Sequence, residues 1–404
     1  MKYFAVCLAI TFAFCAELKA QNASAPATRA EQIESEQAAK AKAVSPDLPD
    51  PAEQRFVEVE NDVRHVLQGS NVRLQLGGLP TPSGFALGPA VQWQNSQDAL
   101  RVNSWAIGSV KQFYSVGTGL ELPRLTSQRL DVTLRAAHLD MPRLDFYGQG
   151  PNSLKSNRTD YRREDTWLDA GVDWRALRHV KAHCKAGQLW LNVGPGTSDS
   201  VTSTNLKFGP DQAPGIDVQT NYFVGGCGVG FDFRDRPEFP RTGTALFLDY
   251  RRYQAEDLSI NSFHQTTGSL EQYIPFFNEK RVIALHAAAN MTFNNHNQVV
   301  PFYMMPTLGG FNDLRGYRPL RFYDDNAAWV NAEYRWEVST GLDLAVFGDA
   351  GEVFHRPSQF SLSNIQNDIG FGLRFNNQRN LVFRIDTGFS REGFQVWVEF
   401  NKIF

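Results

Sequence analysis

The chain has 404 residues, 42% of them hydrophobic and 12% aromatic, and a formal net charge of −3 at pH 7. That near-neutral balance argues against a nucleic-acid partner, which would favour a cationic stripe. The length admits one large all-β domain or two ordinary ones.

Residues 1–20 read as a secretory signal peptide. Lys2 gives the positive start, Tyr3 to Ala16 the apolar run, and Ala20 the cleavage position. The run is too short and wrongly flanked for a spanning helix. Cys15 follows the bulky Phe14, which fits lipoprotein cleavage poorly. The polar, Ala-rich stretch up to residue 49 reads as a linker. Asp50, Pro51 and Glu53 then make a helix start and Gly69 a stop. Phe56, Val59, Val63 and Val66 recur between them at helical spacing, so 51–68 is expected to be one amphipathic helix. The rival reading takes RFVEVE as a strand.

From Ser70 onward the period changes to two. Runs at 70–77, 85–94, 98–110, 112–122, 129–145, 163–175, 180–193 and 219–233 predict eight strands. Eight more are predicted at 243–254, 264–277, 281–293, 327–338, 342–354, 368–375, 381–389 and 394–400. No stretch reaches about 18 consecutive apolar residues, so a spanning helix is excluded. Alternation is how transmembrane β-barrels escape hydropathy scans, since only every second residue faces lipid. Leu342, Leu344 and Val346 form one face, and Asp343, Ala345, Phe347 and Asp349 the other. In a barrel the first face meets lipid and the second the lumen. Connections alternate between tight turns (VSTG, NNQRN) and long loops (194–217, 296–326). The expected fold is therefore all-β, a sixteen-stranded antiparallel transmembrane β-barrel over 70–404, preceded by a short N-terminal helix. Such a helix would cap the periplasmic mouth or lie on the membrane surface.

The sixth outer loop contains LGGFNDLRGYRPLRFYDD (308–325), bulkier than a solvated loop needs. Its LRGY (314–317) is followed by FGDAG (347–351), then GFG (370–372), and the chain ends on Phe404. RDRPEFPRTG (234–243) has the look of a periplasmic turn. Together these residues resemble the bacterial surface antigen domain of the BamA/TamA outer-membrane superfamily, with the likeness covering residues 70–404. The closing strand carries Val396, Val398 and Phe400 in the alternation of a C-terminal barrel signal, although Lys402 departs from it. Residues 21–69 are too few for the POTRA modules of family members that assemble other proteins.

The resemblance implies a loop–lumen lock of Arg315, Gly316 and Tyr317 against Phe347, Asp349, Gly351, Gly370 and Gly372. Parity alone also puts Asp349 on the lumen wall. An arginine–carboxylate pair there is charge-assisted and can be bidentate. Gly309, Gly310 and Gly316 are expected to let the backbone turn, and Phe311, Tyr317, Phe322 and Tyr323 to pack the loop inside.

No phosphate loop, nucleophile elbow or zinc helix occurs, so no enzyme activity, cofactor or metal is expected. His179 and His183 sit on a strand, about 13 Å apart, too far to share one ion. Cys184 and Cys227 fall on strands seven and eight, within a residue of facing each other across the fourth loop. An exported protein permits a bridge there, the alternative being two free thiols.

Insertion or translocation of polypeptide, or handling of lipid, is the work the resemblance implies, with strands one and sixteen as the working seam. The partners would be outer-membrane lipid and polypeptide substrates or a separate periplasmic protein. The rival is a passive pore or structural surface antigen. An outer-membrane lipase or protease would need a nucleophile motif that the sequence lacks.

Overall fold

A computed structural model describes residues 71–125, 129–256, 261–294, 296–376 and 381–400. The expected signal peptide, linker and 51–68 helix, and the terminal Phe404, lie outside the described residues. Sixteen strands form one antiparallel sheet, each hydrogen-bonded to the next in chain order. The first eight are β1 (Val72–Leu76), β2 (Ala86–Gln94), β3 (Arg101–Ser109), β4 (Tyr114–Arg124), β5 (Leu130–Phe146), β6 (Thr159–Leu177), β7 (Val180–Pro195) and β8 (Tyr222–Asp232). The remainder are β9 (Gly243–Ala255), β10 (Phe263–Phe276), β11 (Arg281–Phe293), β12 (Asn326–Ser339), β13 (Leu342–Phe354), β14 (Gln366–Asn376), β15 (Leu381–Ser390) and β16 (Gly393–Phe400).

Every strand expected from the alternation is present, with shifted ends. β6 starts at Thr159 rather than 163, because its polar TDYR opening carries no apolar face. β5 slips register between Met141 and Leu144. Its MPRL segment therefore breaks the two-residue period, as a bulge does.

The wall is apolar outside and charged inside. Val330, Val346, Ile369 and Phe371 are exposed on the outer face, while Glu333, Arg335, Asp343, Asp349 and Arg374 are buried on the inner one. This inversion of a soluble core is what a lipid-facing barrel requires.

Long loops crowd one end of the barrel. Phe146 packs on Phe208, Phe302 and Tyr323 with ring centroids 5.1, 4.9 and 5.0 Å away, joining the loops after β5, β7 and β11 into one aromatic cluster. From the short-turn side, the β8–β9 turn folds inward. Its Arg241 reaches Asp343 at 3.1 Å and Glu337 at 2.9 Å, and lies 5.5 Å over Phe239.

β1 and β16 stand at the two ends of the sheet order, and no ladder joins them among the described residues. A cleft of about 950 Å³ lies between them, lined by Leu76 on one side and Val396, Val398 and Phe400 on the other.

Candidate functional site: the loop seated on the lumen wall

The β11–β12 loop reaches the wall through a narrow neck. Thr307 and Leu308 pair with Tyr323 and Phe322, closing its two ends together. At Gly309 and Gly310 φ is +115° and +124°, a region that side chains avoid, so the chain reverses there. Oδ1 of Asp313 accepts the backbone N–H groups of Gly309 (2.7 Å) and Leu314 (2.6 Å) and fixes the turn. Leu308, Leu314, Tyr317 and Phe322 pack on Ala327 and Val353. The result is a rigid arm that presents Arg315.

Arg315 is 1% exposed. Its Nε and Nη2 donate to Oδ2 and Oδ1 of Asp349 at 2.8 and 2.7 Å, a bidentate fork, and its backbone N–H meets Oδ2 at 3.2 Å. Nη1 donates to Glu333 Oε2 at 2.8 Å. The guanidinium lies 3.4 Å above the Phe347 ring, whose face attracts a cation. Around this centre Glu333 also binds Arg335 and Arg374, each at 2.7 Å. Arg374 continues to Asp386, and Arg384 lies 3.7 Å over Phe311. Buried charges on this scale are tolerated only when each is paired and hydrogen-bonded, and here the pairs are chained.

The loop also reaches the end of the sheet. Trp397 on β16 donates its indole N–H to the Arg315 carbonyl at 2.7 Å, and Ser390 donates to the Gly316 carbonyl at 2.9 Å. Tyr317 donates to the Asn367 carbonyl at 3.3 Å. Strands β12 to β16 therefore all touch the lock.

The glycines act by closeness. Gly316 is not among the positive-φ residues, so the expected sharp turn there is corrected. A Cβ on Gly316 would stand 2.6 Å from Asp368 Cβ, so its role is to let the loop backbone approach β14. A side chain on Gly370 would overlap the Phe347 ring, and one on Gly372 would overlap the Asp386 carboxylate. Gly351 leaves room for Trp329 and Leu308.

Elsewhere, Cys184 and Cys227 pair directly across β7 and β8 and form a disulfide with a Cα separation of 4.0 Å. His183 bonds Asp249 at 2.7 Å and His179 the Asp232 carbonyl at 2.8 Å, each in its own contact. Val396 and Val398 face outward on β16 with Phe400 beside them, and Phe404 lies outside the described residues.

Glu333, Arg374, Asp386 and Trp397 join the site without having stood out in the sequence. The signal was present in part: AEYRWE and FRIDTG set charges two apart on faces that also carry lumen residues. His355 was missed too; its Nδ1 lies 2.8 Å from Asp325 Oδ2 and ties the next loop to the exit of this one.

An Omp85 superfamily domain matches residues 201–390. Among solved structures the chain is similar to BamA from Haemophilus ducreyi lacking POTRA domains 1–3, with a TM-score of 0.61 and 13% identity over 81% of this chain and 69% of that one. It is also similar to CdiB from Escherichia coli, with a TM-score of 0.50 and 12% identity over 85% and 70% of the two chains. Comparison with curated protein sequences found no match. At these identities the structural likeness is one of fold.

Proposed function

We propose, from the Omp85 superfamily domain matched at residues 201–390 and the barrel fold, that the chain inserts polypeptide into the outer membrane, or translocates it, at the seam between β1 and β16. The observation that carries this reading is the end of the sheet. β1 has five residues, and among the described residues neither it nor β16 pairs with the other. An unpaired strand edge presents rows of N–H and C=O groups, each costing several kcal/mol if left unmet in hydrocarbon. A strand of another polypeptide is their natural complement, added by backbone hydrogen bonding. The lock supplies the fixed side of the seam, since Trp397 holds β16 to the Arg315 carbonyl. The work needs no covalent step, and its partners are outer-membrane lipid and an unfolded polypeptide.

A photoreactive residue at Val398 in intact membranes should crosslink unassembled outer-membrane polypeptides. Tethering β1 to β16 with an engineered disulfide should abolish both the crosslinks and insertion of a substrate barrel into vesicles. Insertion at an unchanged rate by the tethered protein contradicts the reading and favours a structural role.

A further inference from the structure

The seam cleft has a charge pattern that the loop–wall lock does not use. Lys111, Arg143, Arg158 and Arg318 line it from four different segments. Asp145, Asp160 and Glu399 line it as well, and Asp145 is taken by Arg158 at 2.9 Å. Among the described residues the other three cations have no carboxylate partner. Lys111 donates to the Pro82 carbonyl at 2.9 Å and Arg143 to the Gln112 side chain at 3.0 Å.

Arg143 is the informative residue. It sits in the β5 bulge, where Met141 pairs with Arg163 and the next pair is Leu144 with Tyr161. A bulge re-aims a side chain and often does so beside functional sites. Among the described residues its Nε is buried without a hydrogen-bond partner. An orphaned guanidinium N–H is costly and marks a place where an acceptor belongs. Lys111 senses the same environment. Desolvation lowers its pKa, Asp145 acts in the opposite direction, and the positive charges of Arg158, Arg318 and Arg143 lower it further.

On β16 the cleft lining alternates, with Val396, Val398 and Phe400 set between Gln395, Trp397 and Glu399. Val396 and Val398 line it while remaining 56% and 53% exposed on the lipid face of β16, so the cleft is continuous with the lipid-facing surface. One ligand chemistry satisfies both walls. We propose that the cleft holds an outer-membrane lipid by its phosphorylated headgroup, with the phosphate against Lys111, Arg143 and Arg318 and the acyl chains along Val396 and Val398. Arginine matches phosphate geometry by bidentate, charge-assisted hydrogen bonds. This site stands whether or not the seam moves polypeptide.

Native mass spectrometry of the purified full chain in detergent tests it, with three probes: a diphosphoryl lipid A, the same lipid dephosphorylated, and inorganic phosphate. The diphosphoryl lipid should be retained and the dephosphorylated one lost. The Arg143→Gln/Arg318→Gln variant should retain it about tenfold less, while Arg143→Lys keeps much of the retention. Gel mobility before and after boiling checks that each variant is folded. If the double variant does not fold, Lys111→Gln on the exposed β3–β4 turn should still weaken retention. Equal retention of both lipids, unchanged retention by a folded variant, or inorganic phosphate binding as tightly as the lipid would overturn the proposal.

Discussion

The inner faces of β12 and β4 follow the same alternating plan yet are held by different forces. On β12, Asn331, Glu333 and Arg335 are buried beneath the seated loop. On β4, the inward positions Ser115, Gly117, Gly119 and Glu121 are only half-buried. Strand alternation places side chains on a lumen face, but only a second layer removes that face from water. The lock supplies that layer to one part of the wall. The opposite part depends on its ladders and ends at a five-residue strand.

The largest test of this contrast is Arg315→Ala against Arg101→Ala. Removing Arg315 strips Asp349 and Glu333 of a buried partner and should cost about 3–5 kcal/mol in denaturant unfolding. Arg101 pairs with Asp98 at 2.7 Å, but both side chains are partly exposed, so its loss should cost no more than about 1 kcal/mol. A double-mutant cycle of Arg315 with Asp349 should show coupling of at least about 0.5 kcal/mol, and strict additivity would dismiss their contact.

Next comes the disulfide, which staples the wall away from the lock. Cys184 and Cys227 are separated by 43 positions in sequence, so reduction should lower stability by about 2–4 kcal/mol. The loss should appear first in exchange of β7 and β8, leaving the lock intact.

A smaller contrast is steric. A Cβ on Gly388 would stand 2.6 Å from the Arg315 carbonyl carbon, whereas one on Gly108 would meet nothing within 4 Å. Gly388→Ala should cost about 1–3 kcal/mol. Gly108→Ala should stay within about 0.5 kcal/mol. Equal costs would mean that the loop is not seated against β15.

The last contrast is one of pH. Desolvation pushes the Asp313 carboxyl up to about 7, against the hydrogen bonds from Gly309 and Leu314 and with the help of the Asp349 charge. A carboxyl raised on folding binds more protons in the native state. Its stabilisation is therefore fully present below the ordinary carboxylate range and is lost as pH rises through about 7. Melting followed from pH 5 to 8 should show the loop loosening with pH. Asp313→Asn should flatten that dependence.

Most of the barrel was legible because side-chain period is a local property. Leu342, Leu344 and Val346 on one face and Asp343, Phe347 and Asp349 on the other needed no partner strand to be read. The β5 bulge and the polar start of β6 were not legible, since each suspends the alternation that marks a strand. The lock divides in the same way. Parity put Asp349 on the wall, and the family likeness brought Arg315 to it. The remaining partners depend on register between strands far apart in sequence. Arg374 meets Glu333 only because β13, paired with β12 on one side and β14 on the other, sets the register between them. Gly316 was misread as a turn because a glycine signals either a special φ or a close neighbour, and only coordinates separate the two.

Hydrogen exchange of backbone amides in lipid nanodiscs tests the division of the wall most directly. In the native protein the amides of β12–β14 should be the last to exchange and those of β1 among the first. Arg315→Ala should extend fast exchange to β16, because Trp397 then loses the loop carbonyl that holds it. Equal protection of β1 and β13, or a β16 indifferent to Arg315→Ala, would contradict a barrel locked along one part of its wall and left free at the seam.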